Sequence, residues 1–238
     1  MRRDRVRHAA RLARPLTTSP ARTALLAQVA DLVPPAVGDD CTRIGVDGVD
    51  GAGKSTFARE LAEALRRLGR PVVELTVDDW HHPRERRYAR GRRSPEGFWL
   101  DSFDYERLVT ECLRPLGPSG TRRYRAAGHD LGTDRLLFDE LDSAPAGAAV
   151  VVDGLFLHRA ELEGAFDLTV FVDVPFEVSA ARMAVRDGSP PDPAHPDLRR
   201  YVEAQRTYFA ECAPRDRADL VVDNTELDAP YLVQAPLD

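Results

Sequence analysis

Apolar residues along this chain follow two rhythms. Short unbroken runs occur at Arg43-Ile44-Gly45-Val46-Asp47, from Pro71 to Val77, at Ala149-Val150-Val151-Val152, from Leu168 to Val172, and at Leu220-Val221-Val222. Runs this short, apolar at successive positions, mark strands covered on both faces of a sheet. Elsewhere the spacing is helical. Leu25, Leu26, Val29 and Val33 share one face of a helix opened by Ser19-Pro20 and closed by Pro34-Pro35. Phe57, Leu61, Leu65 and Leu68 place another over 55–68, ended by Gly69. Further helices are expected at 103–115, 175–187 and 197–211. Strands alternating with helices predict an α/β domain around a five-strand parallel sheet.

Three stretches carry neither rhythm. Residues 78–102 are polar, arginine-rich and aromatic, and 117–147 are punctuated by Gly, Pro and Asp. Residues 189–196, Ser-Pro-Pro-Asp-Pro-Ala-His-Pro, read as a stiff non-helical loop between two helices.

Composition narrows the picture. A chain of 238 residues suits one such domain, and 43% hydrophobic with 30% charged residues is ordinary for a folded soluble protein. The net charge of −6 repels polyanions, so a nucleic-acid partner is not expected and a phosphate ligand must be held by a local concentration of positive groups. Of 33 basic residues Lys54 is the sole lysine, which excludes lysine-rich tails and paired active-site lysines. Residues 1–14 hold six Arg and one Asp but no apolar stretch, so they are not a secretory signal. A solvated basic extension over 1–18 is the expectation, with targeting or docking as the alternative. No apolar run approaches the ~18 residues a membrane span needs. Cys41, Cys112 and Cys212 lie far apart with no CxxC spacing, which predicts buried reduced thiols in a cytoplasmic protein. The sequence permits a homo-oligomer without requiring one.

The chemistry centres on Gly48-Val49-Asp50-Gly51-Ala52-Gly53-Lys54-Ser55, a G-x-x-x-x-G-K-[ST] motif between an expected strand and an expected helix. Its glycines let backbone N–H groups turn inward around a phosphate, and the following helix adds its positive end. Lys54 reaches the β- and γ-phosphates, and the Ser55 hydroxyl can take one Mg²⁺ position. A GTPase would need its guanine-reading Asn-Lys-x-Asp, and no second lysine supplies it, so that class is not expected. The second strand ends in Asp78-Asp79-Trp80. A carboxylate there can take the proton of a hydroxyl that attacks the γ-phosphorus, or can simply cap a turn.

These features together resemble the uridine kinase family, within the wider group that includes phosphoribulokinase and bacterial pantothenate kinase. The resemblance runs from about residue 43 to 224. It rests on Gly48–Thr56, Val77-Asp78-Asp79-Trp80-His81, Leu100-Asp101-Ser102-Phe103-Asp104, Val152-Asp153-Gly154, Arg182-x-x-x-Arg186-Asp187 and Ala218-Asp219-Leu220-Val221-Val222. It implies a P-loop NTPase three-layer α/β sandwich over 19–238, with an acceptor-binding insertion near 80–140 and a lid near 186–198. It also implies Mg²⁺- and ATP-dependent phosphorylation of a nucleoside 5′-hydroxyl, such as that of uridine or cytidine, with Asp78 as the base. Two departures bear on the acceptor. The family's Asp-Ser-Phe-Tyr reads Asp78-Asp79-Trp80-His81, and its Asp-His-Pro reads Phe98-Trp99-Leu100. A pantothenate-like, sugar or specialised-metabolite alcohol therefore stays open as acceptor, as does a nucleotide-binding regulatory module without turnover.

Lys54, Asp78, Arg182 and Arg186 are the candidate catalytic residues, the two arginines sharing one helix face at i, i+4 spacing. Gly48, Asp50, Gly51, Ala52, Gly53, Lys54, Ser55 and Thr56 are expected to hold the nucleotide. Three strands end in Asp47, Asp153 and Asp173; Asp153, with Ser55, is the expected metal position, and Asp173 the alternative. Candidates for the acceptor are Asp79, Trp80, His81, Arg84, Trp99, Asp101, Tyr124, Arg125 and His129. Trp80, Phe98 and Trp99 could stack a base or pack in the core. Six arginines within 84–93 could close over an anion or remain solvated. His158 reads as structural.

Overall fold

The computed structural model describes residues 19–138 and 141–235; the basic segment 1–18 lies outside the described residues. Five parallel strands form the sheet: β1 (Thr42–Gly48), β2 (Val72–Thr76), β3 (Ala149–Asp153), β4 (Leu168–Asp173) and β5 (Leu220–Asp223). A sixth, β6 (Tyr231–Gln234), pairs antiparallel on β5, so the sheet runs β6-β5-β4-β1-β3-β2. Nothing in the apolar pattern announces β6, an edge strand that is mostly exposed.

Alternate residues of one strand feed opposite cores. Val150 and Val152 of β3 pack with Leu75, Val77, Trp80, Trp99, Phe156 and Tyr208, whereas Ala149 and Val151 pack with Leu26, Val29, Phe57, Leu61 and Leu65. This two-sided burial is why the strands read as continuous apolar runs. On the second face lie α1 (Pro20–Leu32) and α2 (Lys54–Arg67). Ser19 caps α1, its side chain accepting the Arg22 N–H at 3.1 Å, with Pro20 in the first turn.

Residues 78–102 are more ordered than their polarity suggests. Val77–Trp80 form a 3₁₀ turn, and α3 (Pro95–Asp101) follows, capped by Ser94. The helix expected at 103–115 starts at Tyr105 and passes into a π-helical stretch over Val109–Leu113. Within 117–147, two-residue strands pair Arg123–Tyr124 with Asp142–Ser143 and His129–Asp130 with Arg135–Leu136. Two longer helices follow, α4 (Phe176–Asp187), ended by Gly188 at φ 76°, and α5 (Arg199–Cys212). The loop between them is non-helical, as its prolines require. All three cysteines are buried and free.

Candidate active site

β1 runs directly into the glycine loop, and α2 begins at Lys54. Backbone geometry explains the glycines. Gly48 has φ 147°, and a Cβ there would meet the Val172 carbonyl oxygen at 2.4 Å; Gly53 has φ 94° at the head of α2. The loop is clamped from behind. Gln205 of α5 accepts the Asp50 N–H at 2.8 Å, the Ser179 hydroxyl of α4 donates to the Asp50 carbonyl at 2.6 Å, and Asn224 Nδ2 donates to the Ala52 carbonyl at 2.7 Å. Asn224 Oδ1 in turn accepts from Arg22 at 2.8 Å, and Arg22 pairs with Glu60 at 2.7 Å, both buried. Thus α1 and α2 are tied to the loop through one asparagine. Sequence reasoning missed this set because its members are single polar residues on separate elements, far apart in sequence and without a motif.

Lys54 is buried, its Nζ donating to the Val49 carbonyl at 2.8 Å. The Ser55 hydroxyl donates to Asp153 Oδ2 at 2.5 Å. Burial lifts the Asp153 carboxyl above its ordinary range against the pull of that Ser55 bond, and nearby Asp78 adds to the rise. Burial likewise lifts Asp50, with Lys54 pulling it down and Asp78 pushing it up. Asp50 and Asp153 therefore both sense the charges of Lys54 and Asp78.

β3 stands between β1 and β2, with Thr76, Asp153 and Val46 in register. The second strand is thus two places from the loop rather than beside it. Two inter-strand spacings put Asp78 about 10 Å across the sheet from the loop, room for a transferring phosphoryl group and its acceptor oxygen. Asp78 sits in the 3₁₀ turn, its N–H on the Thr76 hydroxyl at 3.3 Å. Its carboxylate is exposed and makes no hydrogen bond or ion pair among the described residues. His81 Nδ1 lies 2.7 Å from the Asp78 carbonyl, where it donates, and burial draws its pKa down.

Other expected residues have partners within the fold. Trp80 and Trp99 are buried in the core; Trp99 packs edge-on against Phe156 at 5.0 Å and carries the Arg159 guanidinium on its face. Tyr124 is buried beside the chain at 142, and His129 is buried with Nε2 3.2 Å from Asp134. Asp101 pairs with Arg90 at 2.7 Å, Arg125 with Glu111 at 2.5 Å, and the Arg84 N–H with Asp134 at 3.0 Å. The Asp79 carbonyl accepts the Gly128 N–H at 2.9 Å, which anchors the insertion.

Arg182, expected to face the phosphoryl group, is turned instead to backbone carbonyls. Its guanidinium donates to the carbonyls of Ala52, Asn224 and Thr225 at 3.3, 2.7 and 2.9 Å, a brace between loop and β5. Arg186 one turn on is exposed, pairs with Asp187 at 2.8 Å, and exerts its charge on Asp50. Of the other strand-end carboxylates, Asp173 pairs with Arg215 at 3.3 Å. Asp47 is fully buried, accepting from Gly48 N–H, Leu157 N–H, His158 Nδ1 and the Tyr208 hydroxyl. That cluster fixes the base of the loop and makes His158 structural, as expected.

The donor set suits the groups the motif implies. The loop would be blocked by any side chain at Gly48, and Ser55 with Asp153 offers only oxygen, the preference of Mg²⁺. No cluster of three His, Cys, Asp or Glu occurs among the described residues.

A parallel sheet, a glycine loop at the end of its first long strand and a helix dipole behind it define a P-loop kinase fold. The chain belongs to the phosphoribulokinase/uridine kinase family, whose model matches residues 43–191. Among curated relatives, a thymidylate kinase of Bordetella petrii is 29% identical over 200 residues, covering 76% of this chain and 86% of that one. A thymidylate kinase of Xanthomonas euvesicatoria is 30% identical over 171 residues, 70% of each chain. Among solved structures, a uridine kinase candidate of Bacillus stearothermophilus superposes with TM-score 0.65 at 24% identity, covering 84% of this chain and 96% of that one. A candidate fructose transport system kinase of Silicibacter sp. TM1040 gives 0.62 at 23%, covering 82% and 98%. Both share the fold.

Proposed function

We propose that this P-loop kinase transfers the γ-phosphoryl group of ATP to a hydroxyl of a small-molecule acceptor, the 5′-hydroxyl of uridine, cytidine or a related nucleoside. The observation that carries the reading is Asp78: an exposed carboxylate without a partner among the described residues, held at the end of β2 across from the loop. Asp78 orients the acceptor hydroxyl and takes its proton as the oxygen attacks. Backbone N–H groups of 48–56 and the Lys54 ammonium hold the phosphates, and Gln205, Ser179 and Asn224 keep that loop rigid. Ser55 and Asp153 would hold Mg²⁺, which when bound neutralises charge on the β- and γ-phosphates. Arg186, at the mouth of the loop, supplies the mobile cation for the equatorial oxygens. Segments 80–140 and 186–198 act as acceptor-binding insertion and lid. Free buried thiols support a cytoplasmic protein.

A second acceptor class has an observation of its own. Trp80, Trp99, Tyr124 and His129 are committed to the interior, so the rings that would read a base are withdrawn. That favours a non-nucleoside alcohol. The test is ADP release from Mg·ATP over a panel of uridine, cytidine, thymidine, thymidine monophosphate, pentoses and pantothenate. Nucleoside-dependent release is the expected result. Release with only a non-nucleoside alcohol moves the acceptor class, and release with none replaces the kinase reading with a regulatory nucleotide-binding module.

A further inference from the structure

Of the arginines that follow Asp78, four face carboxylates: Arg84 and Arg87 meet Asp134 at 4.0 and 3.5 Å, Arg90 meets Asp101 at 2.7 Å and Arg93 meets Asp197 at 3.8 Å. Arg87 also gathers with Arg92 and with Arg200 of α5 on one ring. The guanidinium carbons of Arg87, Arg92 and Arg200 stand 5.3, 4.8 and 5.1 Å from the centroid of Tyr88. Arg200, in the first turn of α5, is only 7% exposed and also lies over Phe98 at 5.2 Å. Its Nη1 donates to the Arg92 carbonyl. Among the described residues no carboxylate comes within ion-pair distance of Arg200 or Arg92, and the buried Nε atoms of Arg200 and Arg87 have no hydrogen-bond partner. Asp134, 3.5 Å from Arg87, is shared with Arg84 and His129.

Such an arrangement is costly. A buried cation without a counter-ion loses hydration, and aromatic faces return only part of it. Burial foremost, with Arg87 and Arg92 adding repulsion, draws the Arg200 guanidinium below its usual range. A guanidinium with donors to spare, flanked by like charge, is complementary to an anion.

Two packed routes connect the cluster to the residues of the proposed reaction centre. Five residues along α5 from Arg200, about 7.5 Å of helix, Gln205 holds the Asp50 N–H of the loop. Along the other route, Phe98 contacts Phe103 at 6.5 Å, Phe103 contacts His81 at 4.4 Å, and His81 bonds the Asp78 carbonyl. We propose that Arg92 and Arg200, with Arg87 behind them, bind an anionic group, carboxylate or phosphate, that the acceptor carries at the end remote from its reacting hydroxyl. This rests on the kinase reading and specifies its acceptor.

Matched acceptor pairs test it, each pair differing in one anionic group and keeping a primary hydroxyl. Suitable pairs are uridine against uridine 3′-monophosphate, a pentose against its phosphate monoester, and pantothenate against its alcohol analogue. Full-length protein is assayed with Mg·ATP, beside Arg92→Gln, a change at an exposed position, and Arg200→Lys, each checked for an unchanged unfolding temperature. In parallel, inorganic phosphate is titrated onto protein saturated with Mg·ADP, so that the glycine loop is occupied. The expected result is kcat/KM at least about tenfold higher for the anionic member of one pair. In Arg92→Gln that preference falls through the acceptor KM, with the ATP KM unchanged, and phosphate binding weakens in step. The pentose and pantothenate pairs tell phosphate from carboxylate. Equal turnover of neutral partners, or phosphate binding indifferent to Arg92 and Arg200, overturns the proposal and leaves the cluster as a staple between α5 and the insertion. Arginine-dependent phosphate binding without turnover of any acceptor would instead refute the kinase reading and keep the anion site.

Discussion

Lys54 is the one lysine in a chain that otherwise uses arginine for positive charge. Its ammonium is enclosed by the loop and bonded to the Val49 carbonyl at 2.8 Å. A planar guanidinium has the same charge but a wider fork and a longer reach, so it cannot occupy that position without displacing loop backbone. Lys54→Arg is expected to lower kcat/KM for ATP by about a hundredfold, the worth of a charge-assisted hydrogen bond or two. Steady-state kinetics, with circular dichroism to show an unchanged fold, checks this. Asp78 differs in kind. Its carboxylate is exposed and makes no hydrogen bond or ion pair among the described residues, so its replacement by Asn tests chemistry with little effect on stability. Arg182 shows the reverse: i, i+4 spacing put it on the face of Arg186, yet three carbonyls claim it. Spacing on a helix says which side chains are neighbours, not where the fold has left unpaired backbone oxygens.

At the scale of elements, α1 is coupled to the nucleotide loop through Arg22, Glu60 and Asn224. Removing one member of a buried ion pair leaves the other charged and dry. Arg22→Met should cost about 3 kcal/mol of stability, whereas Arg22→Met with Glu60→Leu should recover most of it. Urea unfolding of the two variants separates these outcomes. The elements were legible to different degrees for physical reasons. Strands buried on both faces and amphipathic helices impose their period on the chain, so β1 to β5 and α2 could be placed to within a residue or two. Ser19-Pro20 marked the start of α1, and the same Ser-Pro signature at Ser94-Pro95 marked α3 but was obscured by surrounding arginines. The edge strand β6 has no buried face to write a pattern. In the site, the loop and Asp78 were legible because their chemistry fixes residue type. The clamps at Gln205, Ser179, Asn224 and Arg22 were not, since single polar residues carry no period. Trp80 and Trp99 could be read as core or as ligand contacts, and only packing decides between them.

The whole molecule places the glycine loop and Asp78 at the C-terminal edge of the parallel sheet, with β3 between the strands that carry them. No helix among the described residues is long and apolar enough to cross a membrane. Beside the site, burial lowers the pKa of both His81 and His82 below 6.5, with Asp104 opposing at His82. The unfolded chain therefore binds more protons than the folded one in that range, so stability rises with pH. Their contribution is fully present above about pH 6.5 and is lost as pH falls toward the depressed values. His82→Gln should flatten the dependence of unfolding free energy between about pH 7 and 5.5, measured by denaturant titration at each pH. Asp78 as the group that accepts the proton of the attacking hydroxyl is the central claim. Asp78→Asn is to be assayed with the acceptor that supports turnover, following the phosphoester product directly and measuring ATP affinity alongside. A fall in kcat of about 10²- to 10⁴-fold, with ATP binding and unfolding temperature unchanged, is the predicted result. Turnover within about threefold of the unaltered enzyme would contradict it.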